Sequence, residues 1–181
     1  YIIHLAATLG VQNVNKSPFY TLKNNLTDSI EFIDKMNEKT KIIFFSTSEV
    51  YKNLVTRKNF SFRENIEIPI TNKIEPRDTY FLSKLIIEKI ISLKKNKYLI
   101  FRPHNFYGPR MGLKHVISEM ILKIKNKNKI SVKSYNHQRC FCYIDDAIRI
   151  ITKIIFSNNY YNNTYNIGNL NEEIKIFDLI K

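Results

Sequence analysis

Three short apolar runs, at residues 2–6, 41–45 and 98–102, constrain this chain more than any other feature. Each is close to unbroken, the composition expected of strands covered on both faces. Between them, residues 20–36 and 78–93 carry apolar side chains at helical spacing, with Leu82, Leu85, Ile86, Ile90 and Leu93 in one stripe. Strand, helix, strand, helix, strand predicts an α/β fold with a parallel sheet and crossover helices. In such open sheets ligands bind beyond the carboxyl ends of the strands. The segments after the three runs are Ala6-Ala7-Thr8, Ser46-Thr47-Ser48-Glu49 and Pro103-His104-Asn105, so all three are expected to line one crevice.

The texture changes from Pro103 onward. Gly108, Pro109 and Gly112 make a turn-rich connection, followed by a helical pattern at 115–124, shorter strands at 130–133 and 164–167, and a polar loop at 158–163. This half is expected to form a smaller lobe over the crevice. An amphipathic helical pattern starts at 174 and runs for about two turns to Lys181. The run 1–7 reads as a strand already under way at Tyr1, so more chain is expected on both sides. A length of 181 residues suits one domain with a sizeable core, or one domain and a small appendage.

A net charge of +13 raises nucleic acid or an anionic membrane as partners. The lysines are scattered among Asn and Ile, however, and only 123–129 (KIKNKNK) is dense, which reads as a solvated face. No basic stripe with interleaved stacking aromatics is present, so neither nucleic acid nor membrane is the expected partner. Cys140 and Cys142 alternate in one run, so on a strand they share a face and cannot complete a metal site alone. They read as small core residues of a reducing, cytoplasmic compartment. No apolar stretch reaches the roughly 18 residues of a membrane span.

Tyr80 and Lys84 are four apart on the helix at 78–93, and such residues share a face. A tyrosine near pKa 10 is a poor base at neutral pH, and a fixed ammonium is expected to stabilise its phenolate. With 11 tyrosines and abundant lysine, that spacing alone arises by chance. Context makes it informative. Tyr80 is the only tyrosine with lysine four positions on, and Ser83 precedes that lysine. Thr47 and Glu49 follow a buried strand, where alternation would turn a hydroxyl and a carboxylate the same way, poor material for a core.

The ordered motifs carry a resemblance. They are His4-Leu5-Ala6-Ala7, Ser46-Thr47-Ser48-Glu49-Val50-Tyr51, Tyr80-Phe-Leu-Ser83-Lys84, Arg102-Pro103-His104-Asn105-Phe-Tyr107-Gly108-Pro109-Arg110, Gln138-Arg139-Cys-Phe-Cys-Tyr-Ile-Asp145-Asp146 and Tyr165-Asn166-Ile167-Gly168. In that order they resemble the extended short-chain dehydrogenase/reductases of the NAD-dependent nucleotide-sugar epimerase, dehydratase and decarboxylase group. The resemblance implies an incomplete Rossmann-type sheet, with residues 1–103 a partial NAD-binding domain. Residues 104–181 are then a partial substrate-binding region with a segment returning to the sheet.

By resemblance, Tyr80 is the acid/base, and Lys84 lowers its pKa and binds the nicotinamide ribose. Thr47 bonds the sugar hydroxyl, Ala6 and Ala7 line the dinucleotide channel, and Pro103 sits against the nicotinamide. Asn105 and Arg139 address the substrate diphosphate, Arg139 with donors that match phosphate oxygens, while Val116 and Ile117 flank the base. The family's shared step is transient oxidation at sugar C4. Glu49 resembles the glutamate that works on the adjacent carbon in dehydratases and uronate decarboxylases, and the Arg139-Cys-Phe run leans towards a UDP-glucuronate decarboxylase-like member. The complete protein is expected to be a homodimer.

Two departures stand out. The family opens with a glycine-rich turn that cradles the pyrophosphate, and none of Gly10, Gly108, Gly112 and Gly168 forms it. The match starts at the family's fourth strand, so the isolated chain is expected to be a fragment that binds NAD weakly and is inactive. The second departure is Lys52, where the family commonly has glycine. The alternative reading is a catalytically silent, truncated α/β module with a binding or assembly role.

Overall fold

The structure, a computed structural model, describes residues 1–54, 62–113, 115–126, 135–169 and 173–180. The expected strand at 130–133 and residues 127–129 of the basic run lie outside the described residues. The chain divides into two compact units, one made of Tyr1–Pro103 with Ile155–Asn166 and the other of His104–Ile154 with Ile167–Lys181.

The first unit is built on β1 (Ile2–His4), β2 (Ile42–Phe45) and β3 (Tyr98–Pro103), which pair in parallel, with β6 (Asn163–Ile167) beside β3. In register, Ile3 sits beside Ile43 and Ile43 beside Leu99, so the carboxyl ends of the three strands lie along one edge. The α/β parallel architecture anticipated from the alternation is the one found. Helices α1 (Val11–Lys16), α2 (Pro18–Asp34) and α3 (Asp78–Leu93) fill the crossovers. Pro18 opens α2 where a missing N–H costs nothing.

Ile42, Phe44 and Ile100 on the sheet meet Ile33 of α2 and Ile87 and Ile91 of α3 in one buried cluster. On the opposite face, Ile43, Leu99 and Phe101 are fully buried, which explains why β2 and β3 read as unbroken apolar runs. β1 departs from that pattern. It lies at the edge of the described sheet, ends at His4 rather than at residue 6, and leaves Ile3 51% exposed.

The stripe on α3 also needs correction. Leu82 and Leu85 are buried as expected, but Ile86 and Leu93 face outward, and Phe81, Ile87 and Ile91 carry the contacts instead. The reason is that α3 is covered around most of its circumference. Ser83, Lys84 and Glu88 are buried too, so apolar periodicity could not mark the inner face.

The second unit holds β4 (Asn105–Tyr107), α4 (Val116–Lys125), β5 (Gln138–Tyr143), α5 (Ile144–Ile155) and β7 (Glu173–Lys175). β4 and β5 are parallel, and β7 is antiparallel to β5. Met120, Phe141 and Ile176 form its core with Tyr107, Val116 and Ile117 packed around them. The expected terminal helix from 174 is instead the strand β7 followed by a 3₁₀ turn, Ile176–Ile180, because β5 offers residues 173–175 an edge to pair with. Gly108 has φ +153, and a Cβ there would collide with Ile144. Among the described residues no helix is long and apolar enough to cross a membrane.

Candidate active site

The carboxyl ends of β1, β2 and β3 present Ala6-Ala7-Thr8, Ser46-Thr47-Ser48-Glu49 and Pro103 in the first unit. Thr8 is fixed from α2. Its N–H donates to Asn25 Oδ1 at 2.7 Å, its carbonyl accepts from Asn25 Nδ2 at 3.2 Å, and its hydroxyl accepts from Asn24 Nδ2 at 3.0 Å. Asn25 Nδ2 also lies 3.2 Å from Ser83 Oγ, and Ser83 donates to the Tyr80 carbonyl at 2.7 Å. The buried amide of Asn25 thus ties the Ala6–Ala7 segment to the turn that bears Tyr80.

Thr47 and Glu49 come together by a different device from the strand alternation anticipated. Thr47 is extended and caps a 3₁₀ turn, Ser48–Tyr51, its Oγ1 accepting from the Glu49 N–H at 3.2 Å. The Thr47 hydroxyl also acts on the Tyr80 phenol, favouring its ionised form. Glu49 Oε1 is held by Arg77 Nη2 at 2.5 Å, and each side chain is about one-third exposed. Hydroxyl, phenol, carboxylate and guanidinium therefore form one connected group.

The electrostatics of that group differ from the expectation for a tyrosine beside a lysine. Burial pushes the Tyr80 phenol up to about 12, the Glu49 carboxylate adds to the rise, and Arg77 and the Thr47 hydroxyl oppose it. Lys84 is itself buried, which lowers its pKa to about 8. Its Nζ donates to the Phe45 carbonyl at 2.9 Å and lies 4.8 Å from the Phe44 ring centre. In the protein alone the Arg77 guanidinium, one helical turn before Tyr80, and the Thr47 hydroxyl favour the phenolate.

The residues suit a dinucleotide. Lys84 makes one hydrogen bond among the described residues and keeps donors for a ribose, Ser46 Oγ is buried with no partner among them, and Ala6 and Ala7, exposed and half-buried, carry only methyl side chains.

In the second unit, Asn105 is exposed at the start of β4 and donates to the Cys140 carbonyl at 3.1 Å. Arg139 is exposed on β5, with Nη1 on the Gln138 carbonyl at 2.8 Å. Both face solvent with donors to offer an anion. Ile117 lines an apolar pocket of about 230 Å³ with Tyr107, Met120, Phe141, Ile174 and Leu179, and Val116 packs into the cluster beneath. On β5, Cys142 is buried and Cys140 partly buried.

Sequence reasoning missed Arg77. Its signal was the spacing of one turn from Tyr80 at the mouth of α3, the position from which a long cation reaches the preceding strand end.

The parallel sheet, the crossover helices and the polar strand ends define a Rossmann-type α/β protein. The profile of the NAD dependent epimerase/dehydratase family matches residues 1–168, and the chain belongs to that family. It is 28% identical over 209 residues to UDP-D-apiose/UDP-D-xylose synthase 1 of Arabidopsis thaliana, covering 98% of this chain and 54% of that protein. Its fold matches the PbgP3 protein from Burkholderia pseudomallei with a TM-score of 0.81 at 24% identity, over 98% of this chain and 57% of the other. UDP-glucuronic acid 4-epimerase from Bacillus cereus, solved in complex with UDP-glucuronic acid and NAD, matches with a TM-score of 0.76 at 26% identity, over 97% and 56%. The chain spans about half the length of these relatives.

Proposed function

We propose that this chain carries the proton-transfer centre of an NAD-dependent enzyme that acts on a nucleotide-diphosphate sugar through transient oxidation at C4. The reading rests above all on the cluster in the first unit, in which the buried Tyr80 phenol is influenced by the Thr47 hydroxyl and by the Glu49–Arg77 pair. Family membership and a relative solved with UDP-glucuronic acid and NAD support the substrate class and the cofactor.

Tyr80 accepts the proton of the sugar hydroxyl and later returns it, while Thr47 aligns that hydroxyl. When bound, NAD supplies the hydride acceptor and a positive ring charge, held by Lys84 with Ala6, Ala7, Tyr80 and Pro103 against it. A phenol near pKa 12 is almost wholly protonated at neutral pH, so the resting site stores the proton and is readied as a base only when positive charge arrives. Asn105 and Arg139 take the diphosphate, and Val116 and Ile117 take the base.

A 4-keto sugar has an acidified neighbouring carbon. In this reading Glu49 works on that carbon, as in a dehydratase or a UDP-glucuronate decarboxylase and not a plain epimerase. The similarity to an apiose/xylose synthase supports the decarboxylating branch. We read the complete protein as a homodimer. Its α3 leaves Ile86 and Leu93 on the outer surface, available to such an interface.

In the complete protein, Tyr80→Phe should abolish 4-keto formation while sugar-nucleotide binding by calorimetry stays within a few-fold; retained turnover would refute the acid/base assignment. Mass spectrometry of products from UDP-, GDP- and dTDP-sugars identifies the substrate. A pentose nucleotide formed from UDP-glucuronate is the expected result.

A further inference from the structure

Lys52 stands where the family resemblance leads to glycine, and its backbone is ordinary right-handed helical, φ −50 and ψ −39, so the side chain sits there without strain. That side chain is held by two carboxylates. Its ammonium donates to Asp78 Oδ1 at 2.6 Å and to Glu75 Oε2 at 2.9 Å. Asp78 is almost entirely buried, and its other oxygen accepts from the Glu75 N–H at 3.0 Å. These contacts bracket Arg77 from both sides.

Lys52 also belongs to the turn that carries Glu49, because its N–H donates to the Glu49 carbonyl at 3.0 Å. Two short turns are thereby tied twice with opposite polarity. Residues 49–52 offer a carboxylate and then an ammonium; residues 75–78 offer a guanidinium flanked by two carboxylates. Partly exposed pairs of this kind add little to stability, about 0–1 kcal/mol each. What they do add is orientation: Glu49 Oε1 is held, and Oε2 makes no hydrogen bond among the described residues.

We propose that Arg77 is the positioning residue for Glu49, and that Lys52 is the strut that holds the turn presenting Arg77, so that one carboxylate oxygen is anchored and the other is left for the substrate. The inference rests on the reading of Glu49 as a catalytic group.

The test compares the complete wild-type protein with E49Q, R77M, R77K, K52M and R77M/E49Q. Loss of alignment at a reacting group costs up to about 100-fold in rate, so R77M is expected to lower kcat by roughly 10- to 100-fold with KM within about twofold. R77K should recover most of that loss, and K52M should lose a smaller factor, about threefold, relayed through the turn. Because Arg77 acts chiefly through Glu49, R77M should slow the E49Q background far less than it slows the wild type, the remainder being its direct effect on the Tyr80 phenol. A readout independent of turnover is 3-fluorotyrosine installed at position 80 and titrated by fluorine NMR without cofactor. Its midpoint should rise in R77M and return in R77K.

Two outcomes overturn the proposal while the reading of the site stands. One is R77M with wild-type kcat beside a slow E49Q; the other is an R77M loss of equal size in the E49Q background. A wild-type rate for E49Q would instead remove the catalytic reading of Glu49, and this inference with it. Thermal melts of each variant separate misfolding from misalignment.

Discussion

Among its described residues the first unit has two arginine–carboxylate pairs that look alike on paper and do different things. Arg102 and Glu88 meet through two hydrogen bonds, at 3.0 and 2.6 Å, and both side chains are only 3% exposed. Arg102 Nη1 also donates to the Tyr51 hydroxyl at 2.7 Å and the Glu64 carbonyl at 3.1 Å, and the Tyr51 hydroxyl donates to Asn166 Oδ1 at 2.8 Å. Arg77 and Glu49 meet at a single point, one-third exposed, with a carboxylate oxygen left over. A buried pair must satisfy every donor to offset desolvation, whereas a half-exposed pair can leave an atom unused. The unused oxygen marks the pair available for chemistry, and the pair in which every guanidinium nitrogen has a partner marks the scaffold.

The contrast can be broken most directly at the scaffold. Arg102→Met leaves the Glu88 carboxylate buried and unpaired and should destabilise the protein by about 3–5 kcal/mol in urea unfolding; a loss below about 1 kcal/mol would mean that the pair is not the anchor its burial implies.

Next in size is the pH dependence set by Lys84. Its folded pKa, about 8, lies below the ordinary 10.5, so the unfolded chain holds the proton longer and stability rises with pH across that interval. The buried charge costs about 3 kcal/mol below pH 8, where both states are protonated. Tyr80 acts in the opposite sense. Its pKa is raised from 10 to about 12, so the unfolded chain ionises first and stability falls over that range. Melts from pH 7 to 11 should show a maximum near 10, and Lys84→Met should remove the rising limb.

Tyr51→Phe takes a hydroxyl from between Arg102 and Asn166 and is expected to cost about 1–3 kcal/mol, since both partners stay buried or partly buried. The smallest effect belongs to the other pair. A double-mutant cycle of Arg77→Met and Glu49→Gln in urea should give a coupling below about 1 kcal/mol. A larger value would place this pair with the scaffold and erase the distinction.

Much of this was legible in the chain itself. β2 and β3 announced themselves because burial on both faces demands unbroken apolar residues, and the parallel sheet followed from the helices between them. Thr47, Glu49 and Tyr80 stood out as polar groups where a core would not want them. Local sequence could not give the true inner face of α3, where Ser83, Lys84 and Glu88 are buried by partners on other elements. Nor could it reveal the strand at 173–175, which exists because β5 presents an edge.

Tyr80 and Lys84 show where the division falls. Their spacing on one helix was written in the order of residues, since a helix sets neighbours at four apart whatever surrounds it. Their protonation was not. Burial raises one and lowers the other, and Arg77, paired with Glu49 beside a turn tied to Lys52, adds a positive charge that favours the phenolate. Sequence determines which groups can ionise; only tertiary structure decides how far each is from water and from other charges, and a pKa depends on both.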